Sequence, residues 1–177
     1  MKDIPTKINK YNVYNDGDRL LGMGDEMSLP DFEASSETIT GAGILGEIDD
    51  PTVGYFGNQE IEITFRLLDK EAMSMMDMTK AVHLTIRGAC QSTDSEGNIA
   101  FKPIRCVVRG RSKKLAAGKF KNGNPMDTSV SLTVLYILIE VDGETVIELD
   151  KLNEVFKVNG IDMLAEIKEM CELWMKS

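Results

Sequence analysis

His83 is the only histidine in the chain, so any Ser–His or Cys–His nucleophile and base must be built on it. Its neighbours Thr85 and Arg87 put it on the polar side of an alternating segment, the setting of an ordinary surface residue rather than of a positioned base. Metal chemistry is equally short of parts. No pair of His or Cys stands at ligand spacing, and Asp49-Asp50 alone reads more readily as a solvated turn than as oxygen ligands. Cys90, Cys106 and Cys171 are odd in number, widely spaced and set in apolar patterns, which reads as buried, reduced thiols and not as a disulfide framework. Gly41-Ala42-Gly43-Ile44-Leu45-Gly46 spells G-x-G-x-x-G, but a dinucleotide site needs a strand before it and a helix after it. Here Glu47, Asp49, Asp50 and Pro51 follow, which disfavour both a helix and a phosphate. No catalytic residue, cofactor or metal is expected.

The bulk properties agree with a non-catalytic reading. A chain of 177 residues is the size of one domain with a real core. Its 20 Lys and Arg against 29 Asp and Glu give a net charge of −9, which repels phosphate backbones at long range. The polar N-terminal stretch and the lack of an apolar run of roughly 18–20 residues lead to the expectation of a protein made and kept in the cytosol, without membrane binding.

The elements that position these residues are mainly strands, marked by alternation of period two. In Glu60–Leu67, Ile61, Ile63, Phe65 and Leu67 alternate with Glu60, Glu62, Thr64 and Arg66; in Val82–Gln91, Val82, Leu84, Ile86 and Cys90 alternate with His83, Thr85, Arg87 and Gln91. Ile104, Cys106 and Val108 alternate with Arg105 and Arg109, with Val107 as the exception. Ser129, Ser131 and Thr133 alternate with Val130, Leu132 and Val134, after which Leu135–Ile139 is apolar on both faces and predicts a region covered on two sides. Asn15-Asp16-Gly17, Ser95-Glu96-Gly97-Asn98 and Asp142-Gly143 carry hairpin chemistry. Helices are predicted at about Lys70–Thr79, rich in methionine, and at about 161–175, where Ile161, Leu164, Ile167, Cys171 and Trp174 form a stripe behind an Asn159-Gly160 cap. The methionines Met73, Met75, Met76 and Met78 read as partial core burial of a short helix.

Two long segments lack a pattern. Thr40–Gly57 holds five glycines and one proline together with Ile44, Leu45, Ile48, Val53, Tyr55 and Phe56, so it reads as a long loop that docks on something. Ala117–Asp127 reads as a solvated connector. Charge is segregated as well: Lys102–Lys121 has eight basic residues and no acidic one, whereas Glu140–Glu154 has six acidic residues and one lysine. Cross-strand pairing within a sheet and contact between copies are both open readings of that asymmetry; local nucleic-acid binding is a third, weakened by the lack of interleaved aromatics.

The order of elements, the Val107-Val108-Arg109-Gly110-Arg111 strand, the Gly118–Gly123 connector, the strand ending at Asp142 and above all Val158-Asn159-Gly160-Ile161-Asp162 before the last helix resemble the major tail tube proteins of contractile-tailed phages, with R-type bacteriocin tubes using the same kind of subunit. The resemblance implies a single domain over 1–177, an antiparallel β-sandwich or half-barrel with a flanking short helix and a C-terminal helix. It implies hexameric rings that stack into a hollow tube, driven through the target envelope when the sheath contracts. The implied partners are further copies of the chain, the tail sheath protein, a tape-measure protein in the lumen, and baseplate and tail-terminator proteins, with DNA only as transiting cargo. The implied localisation is a virion tail or bacteriocin particle, assembled in the host cytoplasm and released on lysis.

Under that resemblance, Glu60, Glu62, Thr64, His83, Thr85, Arg87, Ser129, Ser131 and Thr133 are expected to face the lumen and to make it net acidic. Ile44, Leu45, Ile48, Val53, Tyr55 and Phe56, with an N-terminal arm of about 1–10, are expected between rings, and the C-terminal helix toward the sheath. A small-ligand-binding β-barrel with Thr40–Gly57 as a lid is the alternative; a hydrolytic enzyme comes third, held back by the lone histidine.

Overall fold

The computed structural model describes residues 3–41 and 43–172. The alternating segments become strands β5 (Glu60–Phe65), β6 (Val82–Thr93), β7 (Ile99–Ala116) and β8 (Thr128–Val141); β1 (Ile4–Asn15), β2 (Asp18–Arg19), β9 (Glu144–Asp150), β10 (Val155–Val158) and β11 (Ile161–Asp162) are strands that alternation did not announce. They join one antiparallel sheet in the order β11-β10-β9-β8-β7-β6-β1-β2. β5 shares an edge of β8 with β9: it takes Thr128–Thr133, and β9 takes Tyr136–Val141.

One face of this sheet wraps a single core. Val13, Ile61, Ile63, Phe65, Leu84, Val108, Val130, Leu132, Val134 and Ile137 are each at most 2% exposed, and they come from β1, β5, β6, β7 and β8. At roughly 1.5–3 kcal/mol for each fully buried aliphatic or aromatic side chain, this cluster is the main reason the chain folds. The helix α1 (Lys70–Ser74) adds Ala72, followed by Met75; the Asp69 carboxylate caps α1 by accepting from the Ala72 amide at 2.9 Å. Met75 is buried while Met73 and Met78 stay outside, so the methionine segment is divided between core and surface.

The β2 end of the sheet reaches β5 through the chain after β2. Gly24 N donates to Thr64 O at 3.0 Å, Arg66 N donates to Gly22 O at 2.8 Å, and Met23 bridges Phe65. This bridge substitutes for a strand ladder, so among the described residues the architecture is a half-barrel and not the closed barrel of the alternative reading.

Four expectations change. Thr40–Gly57 is not a patternless loop: Glu47–Phe56 is strand β4, paired with β3 (Ala34–Thr40) in a separate two-stranded ribbon, with the G-x-G-x-x-G string at its tip. The arm of about 1–10 is largely strand, since Ile4–Lys10 already pairs with β6. The last helix, α2, starts at Ala165 instead of 161, because Asn159 (φ 49°) and Gly160 (φ 79°) turn the chain back so that Ile161 pairs with Val158; Trp174 lies outside the described residues. Finally, Leu135–Ile139 is not one regular alternation: a bulge falls at Leu135, and beyond it Tyr136 and Leu138 lie on the polar face opposite Arg109 and Val107. The register jumps from Gly110↔Val134 to Arg109↔Tyr136, leaving Leu135 unpaired and keeping Val134 and Ile137 on the same buried face.

The cysteines are free, but the expected burial of all three thiols holds only for Cys106. Cys106 is buried, and burial pushes its thiol up to about 12; Cys90 is half-buried and Cys171 exposed. Among the described residues no helix is long and apolar enough to cross a membrane.

Candidate functional site

Paired residues in an antiparallel sheet point their side chains to the same face, so the register decides which polar residues lie together. Glu60 pairs with Thr133, Glu62 with Ser131 and Thr64 with Ser129. His83 pairs with Arg109, Thr85 with Val107 and Arg87 with Arg105. β7 then joins the two sets, because Arg111 pairs with Thr133 and Lys114 with Ser131. All nine residues assigned to a polar face by their alternation therefore share one face of one sheet, and none of them is buried.

Four carboxylates on this face, Glu60, Glu140, Glu148 and Asp150, are matched by cations. Arg105 Nη2 donates to Glu140 Oε1 at 2.9 Å, and Arg109 Nη2 to Asp150 Oδ2 at 2.9 Å. Lys157 Nζ is 3.3 Å from Glu148 Oε2, and Lys113 holds Glu60. Arg109 also lies 5.1 Å from the centroid of the Tyr136 ring, whose hydroxyl donates to Glu148 Oε1 at 3.2 Å. The segregation of basic and acidic residues is thus answered in large part inside the subunit: β7 lies beside β8, and Lys102–Asp142 closes the series at the outer end. Arg87, Arg111 and Lys114 have no carboxylate partner among the described residues, so the face is of mixed sign and not net acidic.

Asp150 anchors one end of this network. Burial acts to raise its pKa, but the Asn153 side chain (2.7 Å), the Asn153 and Leu152 amides (3.1 and 3.0 Å) and Arg109 outweigh it and hold the carboxyl below its ordinary range.

The β3–β4 ribbon stands apart from the sheet. Its foot is fixed by aromatics: the Phe56 ring meets Phe32 at 6.0 Å and Phe156 at 5.0 Å, both edge-on. Phe56 is therefore engaged by the core and differs from the others named with it. Leu45 is fully exposed, Ile48 and Val53 are 52% exposed and Tyr55 is 70% exposed, while Ile44 is half-buried. Val53 and Tyr55 line a cleft between β4 and α2 with Leu164 and Ile167. That cleft involves the foot of the ribbon and not its tip, which does not suit a lid. The helix itself is lightly packed, with Ile167 48% and Met170 67% exposed.

A third feature escaped the sequence altogether. β1 pairs with β6 along one side, but its other side meets only β2, at Tyr14 and Asn15. Backbone groups of Ile4–Asn12 on that side have no strand beside them among the described residues, and Ile4 and Ile8 are 65% and 56% exposed.

A charge-matched sheet face, an open edge and a projecting apolar ribbon define a protein whose distinctive parts are contact surfaces. Residues 5–170 match the model of the phage tail tube protein FII family, and the chain belongs to that family. It is 27% identical over 172 positions to the tail tube protein of Escherichia phage P2, covering 92% of this chain and 95% of that one. Its fold is similar to that of the sheath/tube terminator of PVC, an extracellular contractile injection system, in the extended state, with a TM-score of 0.53 at 11% identity over 77% of this chain and 96% of the other. The family is one of structural tube subunits, components of the virion tail, and not of enzymes.

Proposed function

We propose that the chain builds the inner tube of a contractile tail or R-type bacteriocin as hexameric rings stacked into a hollow cylinder. The observation that carries this reading is the open edge of β1. An exposed strand edge of this length is a template for pairing, and a neighbouring copy that continues the sheet there would satisfy its backbone groups and join the subunit faces into one wall. The polar face with Glu60, Glu62, Thr64, His83, Thr85, Arg87, Ser129, Ser131 and Thr133 then lines the channel. Its Glu60, Glu140, Glu148 and Asp150 carboxylates are already paired with basic side chains, while Arg87, Arg111 and Lys114 stay without a carboxylate partner among the described residues, so a passing polyanion meets a wall of mixed sign.

In the same reading the β3–β4 ribbon and the start of β1 lie between rings, where Leu45, Ile48 and Tyr55 leave water, and α2 faces the sheath. The further partners are a tape-measure protein in the lumen and terminator and baseplate proteins at the two ends; DNA is cargo if the particle has a head. Assembly takes place in the host cytoplasm and release follows lysis. Electron microscopy of the concentrated protein tests the reading: rings or hollow tubes are expected, and a chain that stays monomeric at every concentration rules it out. Deleting 41–54 should leave a folded subunit that no longer stacks.

A further inference from the structure

The β3–β4 ribbon carries an electrostatic conflict of its own. Residues 34–56 include Glu37, Glu47, Asp49 and Asp50 and no basic residue. The register sets Glu37 directly opposite Asp50, and like charges in that position destabilise a strand pair. The ribbon is exposed along nearly its whole length, and a lone two-stranded ribbon is marginal in water. Its chemistry asks for a cover that is both cationic and apolar.

The connector between β7 and β8 has that composition. Lys119 and Lys121 flank Phe120, whose side chain is 93% exposed. Residues 117–126 contain no acidic residue. Lys121 has no carboxylate partner among the described residues, and Lys119 meets only Asp127, at 3.5 Å, with both side chains largely in water, so that pair is weak. The connector is held at its base, where Lys119 N donates to Met126 O at 2.9 Å and Met126 N to Arg66 O at 2.7 Å, so its tip is presented from a fixed frame.

We propose that the acidic ribbon of one copy docks on the Lys119-Phe120-Lys121 connector of a second copy, with Glu37 and Asp50 against the two lysines and Leu45 near Phe120. This rests on the tube reading and names the surface the ribbon meets. Attraction between the two segments also fixes polarity, because ribbon on ribbon and connector on connector both repel.

Charge reversal with rescue tests it in the full chain. Glu37→Lys with Asp50→Lys, and separately Lys119→Glu with Lys121→Glu, should each lower the yield of sedimentable tubes by about tenfold or more, with the thermal melt of the subunit unchanged or raised for the ribbon pair. Combining all four reversals should restore tubes. If the unsubstituted chain forms no tubes, the tube reading fails and this docking with it. If it does form tubes, and either reversal leaves them intact or the combined variant fails to recover, the docking alone is overturned.

Discussion

Gly54 of β4 touches Leu164, at the approach to α2, so closely that a Cβ on the glycine would come within 2.7 Å of Leu164 Cδ2. Gly54 also sits at φ +76°, where an L side chain is strained. The Leu164 methyl is the end of a flexible side chain and can give way, so the backbone sets the cost. Gly54→Ala should destabilise by roughly 1–2 kcal/mol, lowering Tm by about 2–8 °C for a chain of this length. Adding Leu164→Ala should relieve the steric part and leave the backbone part, so the two losses should fall short of their sum in a double-mutant cycle.

Gly110 is a tighter case. A Cβ there would lie 2.6 Å from the Thr133 carbonyl oxygen, which is backbone, at the point where β7 meets the bulge in β8. Gly110→Ala should cost about 1–3 kcal/mol as overpacking, read as a lower urea midpoint. A neutral result would mean the two strands are farther apart than described.

The depressed carboxyl of Asp150 predicts a pH dependence. Its folded pKa lies below its unfolded one, so its contribution is fully present above the unfolded value, near 4, and is lost as pH falls through the folded value. Asp150→Asn should therefore cost about 1.5–3 kcal/mol at pH 7, and the gap to the parent chain should close as pH falls below about 4. Denaturant titrations at several pH values measure this; a gap that does not change with pH contradicts it.

Thiol labelling at pH 8 should separate the three cysteines. Cys171 should react first, half-buried Cys90 more slowly, and Cys106, with its thiol near 12 and its side chain in the core, only after unfolding. Peptide mass spectrometry of a labelling time course distinguishes them. Labelling of Cys106 at the rate of Cys171 in the folded protein would contradict the described core.

What the sequence made legible follows burial. Glu60–Phe65 and Val82–Arg87 alternate because one side of each strand is in the core, and the same contrast places His83 and Glu60 on the outer side before any partner strand is known. β4 was invisible for the same reason: Ile48, Asp49, Asp50 and Pro51 are exposed on both faces, so burial imprints no period on them, and only pairing with β3 shows a strand. Ile161 and Leu164 are spaced as in a helix, yet the positive φ of Asn159 and Gly160 sends Ile161 into a strand. The mixed sign of the polar face was equally hidden, since Arg109 meets Asp150, and Lys113 meets Glu60, only through register. Phe56 looked like Tyr55 in sequence and differs from it only in having Phe32 and Phe156 around it.

The strand order also has a kinetic side. β6, β7, β8 and β9 are successive in the chain and adjacent in the sheet, so they can close as a meander through the turns at 94–98 and 142–143 and the longer connector at 117–127. β1 and β5 must find β6 and β8 from far away in the chain, and such distant pairings carry the loop-closure entropy that makes β-rich proteins slow to fold. The edge of β6 is consequently bare until β1 arrives, and the edge on which a neighbour would build does not exist before then. A bare β6 edge is itself open to wrong pairing, so the arrival of β1 both covers that edge and presents the one on which a neighbour would build.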